Sequence, residues 1–290
     1  FPGQAGHLAM DEDGCLWIGS LGLSSYCDDI WTPHLEKGPY GSPPSVWSMV
    51  IAGGERWVGT AHNGLKRYMD GGWVTYDTSN SPILDDKIYA LHLDQQNKLW
   101  IGTRSGLNIF DDGSWTHYDT SNSGLPDPFI RCFADDSTGS TWIGTKYGLA
   151  CLTDSSWSSF TLANSILTSE NISSIAIGQD NSKWIGTTYG GLYHIDNAGI
   201  WTAYNFADTP LPSDMISDIQ IDNYGQIWIA TQPMWATGEP VGGGVARFNG
   251  TDWTVWNTSN SDLQNNNVQS LCFGMNGEVW IGTEDVLSTL

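Results

Sequence analysis

Short apolar runs bounded by turn residues recur along the whole chain, a pattern typical of β-strands. The clearest marker is Trp-Ile-Gly or a close variant, which occurs seven times. The copies are LWIGS at 16–20, RWVGT at 56–60, LWIGT at 99–103, TWIGT at 141–145, KWIGT at 183–187, IWIAT at 227–231 and VWIGT at 279–283. Successive tryptophans are 40, 43, 42, 42, 44 and 52 residues apart, so one repeat spans about 42 residues and an insertion precedes the last copy.

Each repeat predicts four strands, which we call a, b, c and d. Strand a begins with an apolar residue that lies twelve positions before the tryptophan in five copies: Ile88, Ile130, Ile172, Ile216 and Val268. Strand b is the Trp-Ile-Gly string, strand c follows as in GLNIF at 106–110, and strand d contains a second tryptophan, as in WTHY at 115–118. Turn sequences such as DNYG at 222–225 separate strand a from strand b.

A four-stranded antiparallel unit that is repeated seven times buries both sheet faces by stacking radially on its neighbours. We therefore predict an all-β fold, a seven-bladed β-propeller forming a single domain over 1–290. The predicted blades are 5–34, 45–77, 87–119, 129–161, 171–205, 215–257 and 267–290. In Trp-Ile-Gly the Trp and Gly face one side and the Ile the other, and the Gly leaves room for a large side chain of the adjacent blade.

The seventh repeat ends at TEDVLSTL, which aligns with strand c of the third repeat. We therefore predict that the last blade lacks its outer strand d. An alternative is that another protein chain completes this blade, because an unpaired edge is prone to pair with a further strand.

The pattern LWIGTxxGLxxF followed by Trp, seen at 99–110 and 115, resembles the two-component regulator propeller repeat. The resemblance covers about 5–290. Such repeats form periplasmic sensor regions of bacterial hybrid sensor kinases and occur in other secreted proteins. The resemblance thus implies a location in the periplasm, outside the cell or at the cell surface, and a role in sensing or binding.

Charge and cysteine content narrow these expectations. Against 32 Asp and Glu there are 11 Lys and Arg, a formal net charge of −21, which argues against a nucleic-acid partner. No apolar stretch reaches 18 residues, so we expect no membrane insertion.

Five cysteines are an odd number for a complete disulfide framework. Cys15 and Cys27 become opposite each other if Ser20 pairs with Gly22; a disulfide is then one state, but we favour two small unbridged core residues.

The connections from b to c and from d to a lie on one face of a propeller, here called the loop face, and loops on a rigid scaffold often bind ligands. The b–c tips differ in sequence from blade to blade. We expect a polar small molecule or glycan there, and the candidate ligand-binding residues are His62, Lys87, Arg104, Lys146, Tyr147, Tyr189 and Trp235. Ordinary solvent-exposed tips are the alternative. Trp235 lies in the insertion at 231–244, which forms either a binding platform or a plug over the channel mouth.

A cation site is a further expectation at this face. Asp86, Glu170 and Asp214 stand fourteen positions before the repeat tryptophans, where oxygen ligands would suit Ca²⁺. Capping of loop turns is the interpretation we favour. No other cofactor is expected.

The sequence shows no GxSxG or HExxH motif, so we expect a non-catalytic binding module. Two alternatives stay open. One is a structural surface or filament subunit joined by strand donation at the last blade, and the other is a polysaccharide-active lyase or hydrolase.

Overall fold

The computed structural model describes residues 6–35, 43–52, 54–69, 71–236 and 239–290. These residues form strands, turns and loops, and none of them is helical. Consequently, the described part of the chain contains no helix of the length and apolar character needed to cross a membrane.

The strands of the first four blades run as follows. Blade 1 contains β1 (His7–Met10), β2 (Leu16–Ser20), β3 (Gly22–Cys27) and β4 (Ile30–Pro33). Blade 2 contains β5 (Val46–Ala52), β6 (Glu55–Thr60), β7 (Leu65–Met69) and β8 (Gly72–Tyr76). Blade 3 contains β9 (Ile88–Leu93), β10 (Leu99–Thr103), β11 (Leu107–Asp111) and β12 (Ser114–Tyr118). Blade 4 contains β13 (Ile130–Asp135), β14 (Ser140–Thr145), β15 (Gly148–Thr153) and β16 (Ser156–Phe160).

The remaining three blades include one extra hairpin. Blade 5 contains β17 (Ile172–Ile177), β18 (Lys183–Thr187), β19 (Leu192–Ile195) and β20 (Trp201–Tyr204). Blade 6 contains β21 (Met215–Ile221), β22 (Ile227–Gln232), β25 (Gly244–Phe248) and β26 (Trp253–Trp256), and the hairpin of β23 (Met234–Ala236) and β24 (Glu239–Val241) stands between β22 and β25. Blade 7 contains β27 (Val268–Phe273), β28 (Val279–Thr283) and β29 (Leu287–Thr289).

Within each blade the strands pair antiparallel in the order a, b, c and d. The inner strands contact one another all round the ring, and β27 contacts β1 to close it. The prediction of a seven-bladed propeller with a three-stranded last blade is confirmed.

The core is divided into seven hydrophobic clusters, one at each interface between blades. At the interface of blades 2 and 3, Trp57 of one blade packs with Ile88 and Ile101 of the next. The Trp and Ile of strand b therefore face opposite neighbours. The closing interface between blades 7 and 1 has the smallest cluster, in which Leu16 and Ile18 are the buried members.

The repeated glycine makes room for the next blade. A Cβ added at Gly59, Gly102, Gly144 or Gly186 would lie within 2.8 Å of an isoleucine at the first or second position of the next inner strand. Blade 6 has Ala230 at this position, and the residue it meets is the smaller Val268. The predicted role of the glycine is confirmed.

An aspartate six residues before the repeat tryptophan holds the turn between strands a and b. In blade 4, Asp136 Oδ1 accepts hydrogen bonds from the backbone N–H groups of Thr138 and Ser140. Its Oδ2 accepts the indole N–H of Trp142 at 3.1 Å. The same bond joins Trp17 to Asp11, Trp100 to Asp94 and Trp228 to Asp222.

Aromatic residues of the outer strands connect the blades at the rim. Four pairs have ring centroids 5.4–6.1 Å apart: Tyr76 with Trp115, Tyr118 with Trp157, Phe160 with Trp201 and Tyr204 with Trp253. The corresponding Trp31 of blade 1 faces the three-stranded blade 7 and is 40% exposed.

The first b–c hairpin corrects the expectation about its cysteines. Cys15 and Cys27 form a disulfide, with Cα atoms 4.6 Å apart. The favoured interpretation of two unbridged residues was wrong because Ser20 does pair with Gly22, which sets the two cysteines opposite each other on adjacent strands. Cys132, Cys151 and Cys272 are free.

Candidate functional site

A β-bulge occurs at the same place in six inner strands and directs one side chain into the mouth of the channel. In blade 3, Ile88 pairs with Thr103 and Ala90 with Gly102, so Tyr89 between them has no partner on strand b. Bulges commonly re-aim a side chain beside a functional site. The six bulged residues are Trp47, Tyr89, Arg131, Ser173, Ser217 and Gln269.

One side of the channel mouth is aromatic and basic. The rings of Trp47 and Tyr89 have centroids 4.7 Å apart, and Tyr89 lies 4.3 Å from Phe129. The guanidinium of Arg131 lies 5.9 Å from the Phe129 ring. Among the ion pairs of the described residues none includes Arg131, so its charge is not neutralised by a neighbouring carboxylate.

The opposite side of the mouth carries smaller polar groups. The Ser217 hydroxyl donates to the Val268 carbonyl at 2.6 Å, and Gln269 accepts a hydrogen bond from Gln232 at 2.9 Å. In contrast, the Ser173 hydroxyl is buried and has no hydrogen-bond partner among the described residues. It is the kind of group that a bound polar molecule would satisfy.

All six bulged residues line one cavity of about 330 Å³ at the channel mouth. A volume of this size lies at the lower end of the range for small-molecule sites. The two sides of the cavity therefore differ in chemistry, with stacking surfaces and a cation on blades 2–4 and hydroxyl and amide groups on blades 5–7.

A second ring lies deeper, at the residues that directly follow the bulges. Here Asp218 Oδ1 accepts hydrogen bonds from the Ser174 hydroxyl at 3.3 Å and the Ile219 N–H at 2.8 Å, and its Oδ2 accepts the Leu271 N–H at 2.9 Å. The carboxylate thus ties together the inner strands of blades 5, 6 and 7. Burial raises the pKa of Asp218, because its effect is larger than that of the hydrogen bonds, which lower the pKa. Burial also raises the pKa of the Cys132 thiol to about 12.

The residues predicted from the b–c tips lie around the mouth, outside the cavity lining. His62 is exposed, and its ring centroid lies 6.1 Å from that of Trp47. Lys146 is exposed, its backbone N–H donates to the Phe129 carbonyl, and its ammonium lies 4.8 Å from the Tyr147 ring. Arg104 and Tyr189 are exposed at their tips, and Lys87 is half-buried just before β9. The proposed part of these residues in binding stays a prediction.

The insertion in blade 6 forms a hairpin in which Trp235 pairs with Pro240. Trp235 is 77% exposed and is not part of the cavity lining, whereas Gln232 at the base of the hairpin is. The indole is therefore not a plug in the channel and remains available on the loop face.

The predicted cation ligands are held apart by their own loops. Asp86 accepts the N–H of Thr78 at 2.7 Å, Glu170 that of Leu162 at 2.8 Å and Asp214 that of Phe206 at 2.7 Å. These bonds are the turn caps that the sequence favoured over metal binding. No group of three His, Cys, Asp or Glu side chains in the described ranges is arranged to hold a metal ion. The geometry therefore gives no support to Ca²⁺ binding by Asp86, Glu170 and Asp214.

Sequence reasoning missed the bulged residues because the six positions share no common residue type. One signal was present. The apolar positions twelve and nine residues before the tryptophan are three residues apart. Ile172 and Ile175 occupy these positions in blade 5, and both belong to the same hydrophobic cluster. Regular alternation would put them on opposite faces, so an extra residue between them was required.

Comparisons with known proteins agree with this architecture. Four segments, 82–105, 124–147, 210–232 and 262–285, match the two-component regulator propeller. Each segment runs from a d–a loop through strands a and b to the next b–c tip. A search of curated proteins finds no match.

Several solved structures share the fold at low sequence identity. An extracellular domain described as part of a hybrid two-component system from B. thetaiotaomicron is 20% identical with a TM-score of 0.78, and the match covers 99% of this chain and 38% of that chain. PorZ, a surface component of the type-IX secretion system of Porphyromonas gingivalis, is 19% identical with a TM-score of 0.74, over 97% of this chain and 46% of that one.

The virginiamycin B lyase from Staphylococcus aureus is 17% identical with a TM-score of 0.76, over 99% of this chain and 94% of the lyase. This chain thus spans less than half of the two surface proteins but nearly all of the lyase. Since these identities are below 25%, the likeness concerns the fold. The chain is a seven-bladed propeller, and four of its blades contain a segment that matches the two-component regulator propeller.

Proposed function

We propose that the protein is a non-catalytic, extracytoplasmic binding module of the sensor type, and that it takes an acidic carbohydrate at the channel mouth. One observation carries this proposal: six aligned bulges place an aromatic surface, an unneutralised arginine and a free hydroxyl around one cavity.

The chemistry of the two sides fits a sugar acid. Trp47 and Tyr89 offer faces on which the apolar side of a pyranose ring stacks. Arg131 presents a planar guanidinium that binds carboxylates with two parallel hydrogen bonds. Ser173 offers a hydroxyl that satisfies a sugar hydroxyl. A neutral sugar would use the stacking surface and leave Arg131 without its counter-charge.

The disulfide supports the location. Disulfides persist in secreted, periplasmic and surface proteins and are rare in the cytosol. The Cys15–Cys27 bond therefore suits a chain that works outside the cytoplasm. Relatives in fold described as extracellular domains or surface components agree with it.

Calorimetry with uronate-containing and neutral oligosaccharides tests the proposal. We expect the acidic series to bind more tightly, and Trp47→Ala and Arg131→Gln each to weaken binding about tenfold or more. Tyr224→Ala is the matched control, since this aromatic residue is 89% exposed in an a–b turn on the opposite face. Equal affinity of the wild type and both mouth variants would exclude this site.

The same oligosaccharides distinguish binding from catalysis. A polysaccharide-active hydrolase or lyase would release new reducing ends, and a lyase would also form unsaturated products. We expect neither during prolonged incubation with the uronate-containing polymers. Turnover that disappears in Arg131→Gln would replace the binding function with an enzymatic one.

A further inference from the structure

Exposed apolar side chains are concentrated on one arc of the loop face. We define the apolar crescent as Tyr147, Leu162, Tyr189, Phe206 and Trp235, which are 41–77% exposed. They belong to the b–c tips of blades 4, 5 and 6 and to the d–a loops between these blades.

The repeats themselves provide the comparison that makes the crescent unusual. Tyr147 and Tyr189 stand five residues after the repeat tryptophan, where blades 2, 3 and 7 have His62, Ser105 and Asp285. Leu162 and Phe206 stand where the d–a loops after blades 2, 3 and 6 have Thr78, Thr120 and Thr258. The apolar residues are therefore not required by the blade scaffold.

Hydrogen bonds join the two d–a loops of the crescent to the neighbouring b–c tips. The Glu170 side chain accepts the N–H of Leu162, while its backbone carbonyl accepts the N–H of Gly148, the neighbour of Tyr147. Asp214 repeats the arrangement one blade later, with its side chain on the N–H of Phe206 and its carbonyl on the N–H of Gly191. Each d–a loop is thus fixed against the tip that carries an exposed tyrosine.

The charge at the Phe206 and Trp235 end of the crescent indicates the kind of partner, whereas the Lys146 ammonium lies beside Tyr147 at the other end. Asp208 is exposed two residues after Phe206, and Glu239 is exposed in the strand that pairs beside Trp235. The whole chain has a formal net charge of −21, so two copies repel each other and a basic partner is attracted. Large exposed apolar patches rimmed by charge mark interaction sites.

We propose that the apolar crescent docks a basic partner protein, which inserts apolar side chains between the exposed rings and sets Lys or Arg beside Asp208 and Glu239. This surface is separate from the cavity at the channel mouth, because none of its five residues lines that cavity. A protein partner and a small polar ligand therefore occupy different parts of the loop face.

The test uses a labelled synthetic peptide of leucine and lysine that forms a basic amphipathic helix, with a leucine–glutamate peptide and polylysine as controls. We expect the leucine–lysine peptide to bind the wild type and the double variant Phe206→Ala/Trp235→Ala to bind it at least tenfold more weakly. Polylysine lacks the apolar face, so its weaker binding should be the same in both proteins.

Two further measurements keep the proposal falsifiable. Tyr224→Ala should leave peptide affinity unchanged, and hydrogen exchange with bound peptide should show protection at 161–170 and 205–214. Equal affinity of the double variant and the wild type, or protection confined to the opposite face, would overturn the proposal. The single variant Phe206→Ala should keep its oligosaccharide binding, since Phe206 lies outside the cavity lining and is not among the predicted ligand-binding residues.

Discussion

At the residue scale, one aspartate position shows how a turn signal also organises the core. Asp11, Asp94, Asp136 and Asp222 each accept the indole N–H of the tryptophan six residues later. Blade 7 has Gly274 at this position, and there the indole N–H of Trp280 is buried without a partner among the described residues. The aspartate therefore satisfies a donor that the propeller core would otherwise leave unpaired.

Replacing Asp136 should expose this role. Burial opposes its ionisation, but hydrogen bonds from Thr138, Trp142 and the turn N–H groups outweigh burial and lower the pKa to about 2. Because the folded pKa is below the unfolded one, the stabilisation is complete above about pH 4 and disappears as the pH falls through 2. Asp136→Asn also removes the counter-charge of Lys183, 3.3 Å away.

We expect Asp136→Asn to lower the free energy of unfolding by about 2 kcal/mol at pH 7 and by clearly less at pH 3. Urea denaturation at the two pH values measures this difference. Asp112→Asn, in the exposed c–d turn of blade 3, is the control and should change little at either pH. A loss that is independent of pH would contradict the assignment.

The sequence predicted a turn at DNYG, 222–225, but did not predict the bond between Asp222 and tryptophan. The turn signal is local, since the carboxylate caps N–H groups two and four residues ahead. The indole bond depends on which side of strand b the tryptophan faces and on how the next blade packs over it. Both the direction of the tryptophan and the packing of the next blade are determined only when the interface between the blades has formed.

At the scale of elements, each inner strand is positioned by the space that the previous blade leaves for it. Gly102 of β10 lies against Ile130 at the start of β13, with 3.0 Å between an added Cβ and the Cβ of Ile130. Because the Cβ is bonded directly to the backbone, it can move away only if its strand moves with it. The glycine thus fixes how closely adjacent blades approach.

We expect Gly102→Ala to destabilise the protein by about 1–3 kcal/mol through overpacking. Ile130→Ala removes the Cγ2 atom, which lies 2.8 Å from the added Cβ, so Gly102→Ala should cost less in that background than in the wild type. Thermal or urea unfolding of both single variants and the double variant measures the coupling. Strictly additive losses would show that the two side chains do not compete for the same space.

The strands were predictable and the bulges were not, for reasons that lie in the repeat itself. Residues such as Trp100 and Gly102 recur because every blade packs in the same way, so they identify strand b in each copy. Tyr89 and its counterparts belong to neither a ladder pair nor a core cluster. Nothing in the scaffold restricts their type, and the repeat pattern therefore conceals them.

At the scale of the whole molecule, the propeller is a ring of seven similar interfaces and one of them is weaker. Blades 7 and 1 meet through the smallest hydrophobic cluster, whereas Cys15 of the disulfide in blade 1 packs against the cluster between blades 1 and 2. The disulfide therefore does not reinforce the interface with the smallest core. The repeat period predicted the number of blades and the short last blade, but it did not predict this unequal distribution of core.

The candidate site was predictable only as a face of the molecule. Loop variation pointed to the tips at His62, Lys146 and Tyr147, which do surround the channel mouth. The cavity forms when residues from six blades that are distant in the sequence converge on one axis. The cavity has an aromatic and basic side and a polar side, and this difference arises only after the ring closes.

The aligned bulges also bear on how such a ring acquires new specificities. A bulged side chain can change from serine to tryptophan between blades while both flanking residues keep their partners, as Ser173 and Trp47 show. A residue at a bulge can therefore change the ligand that is recognised without changing the strand pairing that holds the blade together. A library randomised at the six bulges would sample ligand preference with little expected loss of folded protein, and point substitutions offer evolution the same route.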